Sequence, residues 1–151
     1  MRGPEALAVR VWHPDVRPIV SEVLRCHDAG AQRAAVIATW GLLIHLVEKI
    51  ERLASDGSDT AAAAAKRVDQ CRALGDANPD AIRQMQEIES QLLAVAVELE
   101  ILGPIERGLL ERLREDRHRC ACPGLLRGGG FYQPSADGFS QGRVCLRSIR
   151  A

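Results

Sequence analysis

The chain has 151 residues, enough for one domain with a core of its own. Hydrophobic residues make up 46% but aromatics only 3%, so the core has to be built from Ala, Leu, Val and Ile, which suits helix-on-helix packing. The 20 Lys and Arg balance 20 Asp and Glu, so net charge makes no case for nucleic acid or a membrane surface.

Residues 1–12 read as a weakly ordered leader, in which Val9, Val11 and Trp12 can add a short extended contact. They lack an apolar signal region and carry charge at Glu5 and Arg10, so no secretory signal is expected. A first helix is expected over 14–29, with Val16, Ile19, Val20, Val23 and Leu24 on its core face and Gly30 as its stop. Pro18 is tolerable there because it falls in the first turn. A second helix is expected over 31–54. Val36, Trp40, Leu43, Val47 and Ile50 recur at helical spacing, and Ile37 and Ile44 widen the stripe. Its apolar stretch, 34–47, is too short to span a bilayer and contains His45.

Residues 55–59 form a loop. A third helix follows over 60–74 through the alanine run 61–65, whose plain meaning is high helix propensity and close packing. Asn78 and Pro79 are a strong start signal, one as N-cap and the other at the first helical position. The helix they open carries Ile82, Met85, Ile88, Leu92, Val95, Leu99 and Leu102 and is expected to end at Gly103. Pro104 opens the last helix, which Pro123 and Gly124 stop. Residues 124–151 are Gly-rich and turn-forming. No strand pattern appears, and the short loops predict an all-α antiparallel bundle of about five helices.

The stretch 109–123 (LLERLREDRHRCACP) departs from a plain amphipathic pattern. Ile105, Leu109 and Leu113 step along one row, and the next member of that row is Arg117. On a helix Arg117 lies about 20° from Leu110 and about 40° from Leu113 around the axis. A cation there needs a partner, because burying it alone costs several kcal/mol. One reading is an interface arginine that snorkels to water or pairs with a glutamate of another helix. The other is an anion-binding arginine, with Arg114, His118 and Arg119 within one turn and a guanidinium geometry suited to phosphate. Local charge raises the second without closing the first: Arg107, Arg112, Arg114, Arg117, Arg119, Arg127 and Arg143 lie in the last third, and Asp137 is the one acidic residue after Asp116.

His118 reads either as a proton carrier near neutral pH or as an exposed polar neighbour of the arginines. His13, His27 and His45 are isolated and receive no role. His118, Cys120 and Cys122 do not have metal-site spacing, and no second ligand pair exists, so no metal or other cofactor is expected. Five cysteines without framework spacing point to free thiols in a reducing cytoplasm. No P-loop, dinucleotide fingerprint or serine triad is present.

Segment 109–123 resembles the signature helix of the HEPN superfamily, all-helical domains of prokaryotic ribonuclease toxins, defence systems and nucleotidyltransferase partners. The family motif is Arg, a polar residue, about three more residues, and then His, often followed by Pro. Arg117, His118 and Pro123 fit that pattern; Cys122 stands where the family has its histidine. The resemblance extends over roughly 13–135, including the helix around Trp40 and the Phe131-Tyr132-Gln133-Pro134 segment. It implies a homodimer with two facing motifs and metal-independent RNA cleavage, in which the ribose 2′-hydroxyl attacks the phosphate, histidine moves the proton and arginine steadies the charge. On that basis Arg117, His118 and Cys122 are the candidate catalytic residues, and Arg114 and Arg119 the candidate RNA-binding ones. A thiol is a poor replacement, since with a pKa of about 8.5 only about 3% is thiolate at pH 7. The resemblance therefore implies an RNA-binding domain with weakened or absent cleavage in a toxin or phage-defence setting, and a helical domain at 13–123. The competing expectation is a non-catalytic helical dimer or interaction module, whose arginines meet a partner protein. A third, weaker one is a thiol- or metal-dependent regulator acting through Cys120 and Cys122.

Overall fold

A computed structural model describes residues 17–41, 43–122, 128 and 130–135. It is all-α, with no strand among the described residues. Among the described residues six helices follow one another: α1 (Arg17–Asp28), α2 (Gln32–Gly41), α3 (Ile44–Ser55), α4 (Asp59–Ala73), α5 (Pro79–Glu98) and α6 (Pro104–Ala121). The leader 1–12 and all of 136–151 lie outside the described residues, as does the expected contact of Val9, Val11 and Trp12.

The helix expected over 31–54 is two helices, α2 and α3. Their junction has local causes. The Thr39 hydroxyl turns back to donate to the Ala35 carbonyl at 2.6 Å, a contact that tends to bend helices. Gly41, a poor helix former, ends α2, and the Leu43 amide donates to Trp40 in a tightened turn at 2.9 Å. Apolar periodicity runs through this junction without a gap, which hides it in the sequence. Ile37 and Ile44 are 44% and 37% exposed, so neither widens a buried stripe.

The chain divides into two compact units. One comprises Met1–Leu43 with Leu109–Ala151, the terminal unit; the other is Ile44–Gly108, the central unit.

In the central unit, α3 packs on α4 and α4 on α5. Leu46, Val47 and Ile50 of α3 are buried, as are Ala61, Ala64, Val68 and Cys71 of α4 and Ile88, Leu92, Leu93 and Ala96 of α5. The α4 set repeats at three- and four-residue steps, so small side chains let helix axes approach. The Cys71 thiol donates to the Ala81 carbonyl at 3.0 Å. Ser58 caps α4 by accepting from the Ala61 amide. Asn78 caps α5 by accepting from the Asp80 amide at 2.9 Å, with Pro79 next, as its sequence predicts. Arg72 bridges α4 to α3 through Glu51 at 2.6 Å and also meets Asp69; the Glu51 contact chiefly holds its pKa above the usual value.

Helix α5 ends earlier than Gly103. The Ile101 amide donates to Ala96 at 2.8 Å and the Glu100 amide to Val97 at 3.1 Å, the paired bonds of a Schellman cap. That cap puts its C′ residue in the left-handed region, and here the residue is Glu100, with φ of 57°. Gly30 fills the same position after α1, with φ of 74° and no strain.

In the terminal unit α1 packs on α2. Val23 and Ala35 form its inner contact, flanked by Ile19, Cys26 and Ala38. Val20, Leu24 and Val36 are buried alongside.

Candidate functional site

The α6 face that turns inward consists of Leu110, Leu113 and Cys120, each no more than 2% exposed. Arg117 falls between the last two at heptad spacing from Leu110, so the cation stands on the buried face and is itself half-buried. Ile105 is not on that face. It is 79% exposed, because successive i+4 steps drift by about 40° each and carry it about 120° from Arg117.

Arg117 finds an aromatic face. Its guanidinium lies over the Trp40 ring, 5.4 Å from the centroid. Trp40 comes from α2 and is 5% exposed. A guanidinium so placed gains about 0.5–2 kcal/mol from the ring quadrupole while its apolar stem packs. The Trp40 indole Nε1, buried, has no hydrogen-bond partner among the described residues, and the same holds for Arg33 Nε and Arg114 Nε. Buried donors left this way cost about 1–3 kcal/mol each, a cost that an acceptor arriving from outside can relieve.

Arg33 lies seven residues before Trp40 on α2, and hence about 20° from it around the axis. Its Nη2 donates to the Cys120 carbonyl at 2.6 Å. That carbonyl belongs to the last turn of α6, where acceptors have no partner within the helix and the helix dipole favours a cation. The same guanidinium lies 4.6 Å from the centroid of the Phe131 ring. Arg33 thus joins α2, the end of α6 and the segment that follows α6.

That segment, 130–135, is tied to α6 a second time. The Tyr132 hydroxyl donates to Asp116 Oδ1 at 2.6 Å, and Arg119 lies over the Tyr132 ring at 5.5 Å. Pro134 is buried. The hydrogen bond to Asp116 chiefly raises the Tyr132 pKa; burial adds to this and Arg119 opposes it. The Arg119 pKa is raised too, mainly by its contact with Tyr132.

Among the residues singled out in the sequence, Arg114 and Arg117 are half-buried, whereas His118, Arg119 and Cys122 are exposed. The Cys122 amide donates to the His118 carbonyl at 3.0 Å, so the helical path continues to Cys122. On that path Cys122 is about 40° from His118 but about 140° from Arg117. His118 and Cys122 are both exposed, and the helical path does not bring either onto the side of Arg117. Cys120 is 1% exposed, and burial pushes its thiol pKa up against the opposing pull of Arg33. It behaves as a small core residue. Cys26, Cys71, Cys120 and Cys122 are free thiols. Among the described residues no group of three or more His, Cys, Asp or Glu is placed to hold a metal ion. No helix there is long and apolar enough to cross a membrane.

Arg33, Asp116, Phe131 and Tyr132 carry much of this cluster, and sequence patterning gives them no site role. One signal was available. The chain has only five aromatic residues, two of them adjacent at Phe131 and Tyr132 in a Gly-rich stretch. All three aromatics within the described residues, Trp40, Phe131 and Tyr132, have a guanidinium stacked on them.

Compared with known protein families, curated proteins and solved structures, the chain matches none.

Proposed function

We propose that the chain is a HEPN-like RNA-binding domain whose cleavage chemistry is weakened by Cys122, acting as a homodimer in a cytoplasmic toxin or phage-defence setting. The observation that carries this reading is the gathering of arginines and aromatic rings around the end of α6: Arg117 on Trp40, Arg33 on Phe131 and Arg119 on Tyr132. Guanidinium groups take phosphate in bidentate fashion, and aromatic rings accept unstacked bases, the pairing that single-stranded RNA requires. Exposed Arg119 and half-buried Arg114 extend the cationic surface. Within one chain His118 and Cys122 stand away from Arg117, so on this reading any joint chemistry draws on the facing motif of a second copy, and the thiol at 122 weakens it.

Incubation with single-stranded RNA in EDTA tests the chemistry. Cys122→His is expected to gain cleavage over the parent, and Arg117→Ala in that background to lose it. No gain removes the nuclease ancestry from the proposal.

A second reading is a non-catalytic interaction module that binds a partner protein. Its support is Ile82 and Ile105, 56% and 79% exposed in the central unit. It predicts that Ile105→Glu abolishes self- or partner association in analytical ultracentrifugation and leaves RNA affinity unchanged.

A further inference from the structure

The Phe131 ring is 61% exposed, although the chain is so poor in aromatics that each would be expected in the core. Its exposure is not that of a loose loop tip. Arg33 covers the ring at 4.6 Å, and Arg33 is fixed in turn by its 2.6 Å bond to the Cys120 carbonyl. On the other flank, the neighbouring Tyr132 is held by Asp116, and Pro134 is buried. A flat apolar surface is therefore offered to solvent in a fixed attitude, with a cation against it.

The surroundings select the occupant. Among the described residues, Gly130 and Gln133 beside the ring in the chain are exposed and not apolar, so the ring is not continued by an apolar neighbour at either of these positions. Arg33 and Arg119 supply positive charge next to Phe131 and Tyr132, and Asp116 is engaged by the Tyr132 hydroxyl. An exposed ring with a guanidinium against it, next in the chain to a second ring that carries its own guanidinium, fits a ligand that alternates flat apolar faces with anionic groups.

We propose that the solvent-facing side of Phe131 is a stacking platform for one unpaired nucleobase, with Arg33 and Arg119 taking the adjoining phosphates. This deepens the RNA-binding reading and rests on it. A paired base has no free face to offer, so the site selects single strands over duplex. Binding needs no opening of the segment, since the ring is already presented.

The test compares full-length wild type, Phe131→Ala and Phe131→Trp by fluorescence anisotropy. The probes are a short mixed-sequence RNA strand, its duplex, and the same ribose-phosphate strand without bases. Phe131→Ala is expected to weaken binding of the base-bearing strand roughly ten-fold and to leave the abasic strand unchanged. Phe131→Trp is expected to retain or tighten single-strand binding, and wild type to prefer single strand to duplex. Equal affinity of wild type and Phe131→Ala for the base-bearing strand overturns the platform while the RNA-binding reading stands. Equal losses on base-bearing and abasic strands also overturn it, since the ring then acts through the fold. Failure of wild type to bind any of the probes removes both.

Discussion

The two units of this molecule solve the same packing problem with different materials. The central unit is assembled from aliphatic and small side chains, with caps at Ser58 and Asn78 and an Arg72–Glu51 ion pair on its surface. The terminal unit places Arg117 on the face that Leu110, Leu113 and Cys120 bury, stacks three arginines on three aromatic rings, and leaves buried donors of Trp40, Arg33 and Arg114 unpaired among the described residues. Groups that cost stability where they stand are the ones to suspect of function. On the RNA-binding reading proposed above, the central unit is the scaffold and the terminal unit does the recognising.

The strongest way to break that assignment is to damage the scaffold. Leu46 has no exposed surface, and Leu46→Ala is expected to lower the unfolding free energy by about 2–5 kcal/mol in urea titrations. RNA affinity per folded molecule should stay at the parental value; a fall in affinity beyond the unfolded fraction breaks the comparison.

The scaffold can also be moved upwards. Glu100 occupies a left-handed cap position that suits glycine, so Glu100→Gly is expected to stabilise by about 1 kcal/mol, read as a higher melting temperature with RNA affinity unchanged. A lower melting temperature contradicts the account of that cap.

The smallest effect sharpens the recognition side. Tyr132 is the chain's one tyrosine, so its ionisation can be followed by near-ultraviolet absorbance without interference. Its folded pKa is raised, chiefly by the Asp116 hydrogen bond. The stability it lends is therefore fully present below the unfolded value of about 10 and is lost as pH rises through the higher folded value. Asp116→Asn is expected to lower the titration midpoint, since burial alone then opposes the downward pull of Arg119. A midpoint unmoved by that substitution means the 130–135 segment is not clamped to α6 by this bond.

Much of the fold was legible because its signals are local. Asn78-Pro79, Pro104 and Gly30 mark helix ends by chemistry that needs no tertiary context. The α2–α3 break was not legible, since apolar spacing continues across it and Thr39 and Gly41 are weak signals alone. Ile105 was misplaced because a row of i+4 steps winds around a helix, whereas Leu110, Leu113, Arg117 and Cys120 keep to one side. Arg117 itself was visible as a cation within an apolar pattern. Its partner was not: Trp40 looked like ordinary core, and the pairing spans far-separated parts of the sequence. Arg33 left no trace at all, because an arginine near a helix start is unremarkable until its contact with the Cys120 carbonyl is seen.

The most direct test of the central claim is the affinity of the full chain for single-stranded RNA in EDTA over a range of salt, for wild type, Arg117→Ala and Arg72→Ala. The account predicts that Arg117→Ala weakens binding about ten-fold and lowers the salt slope by about one, while Arg72→Ala changes neither. Equal affinities for wild type and Arg117→Ala, or equal losses for both variants, contradict it.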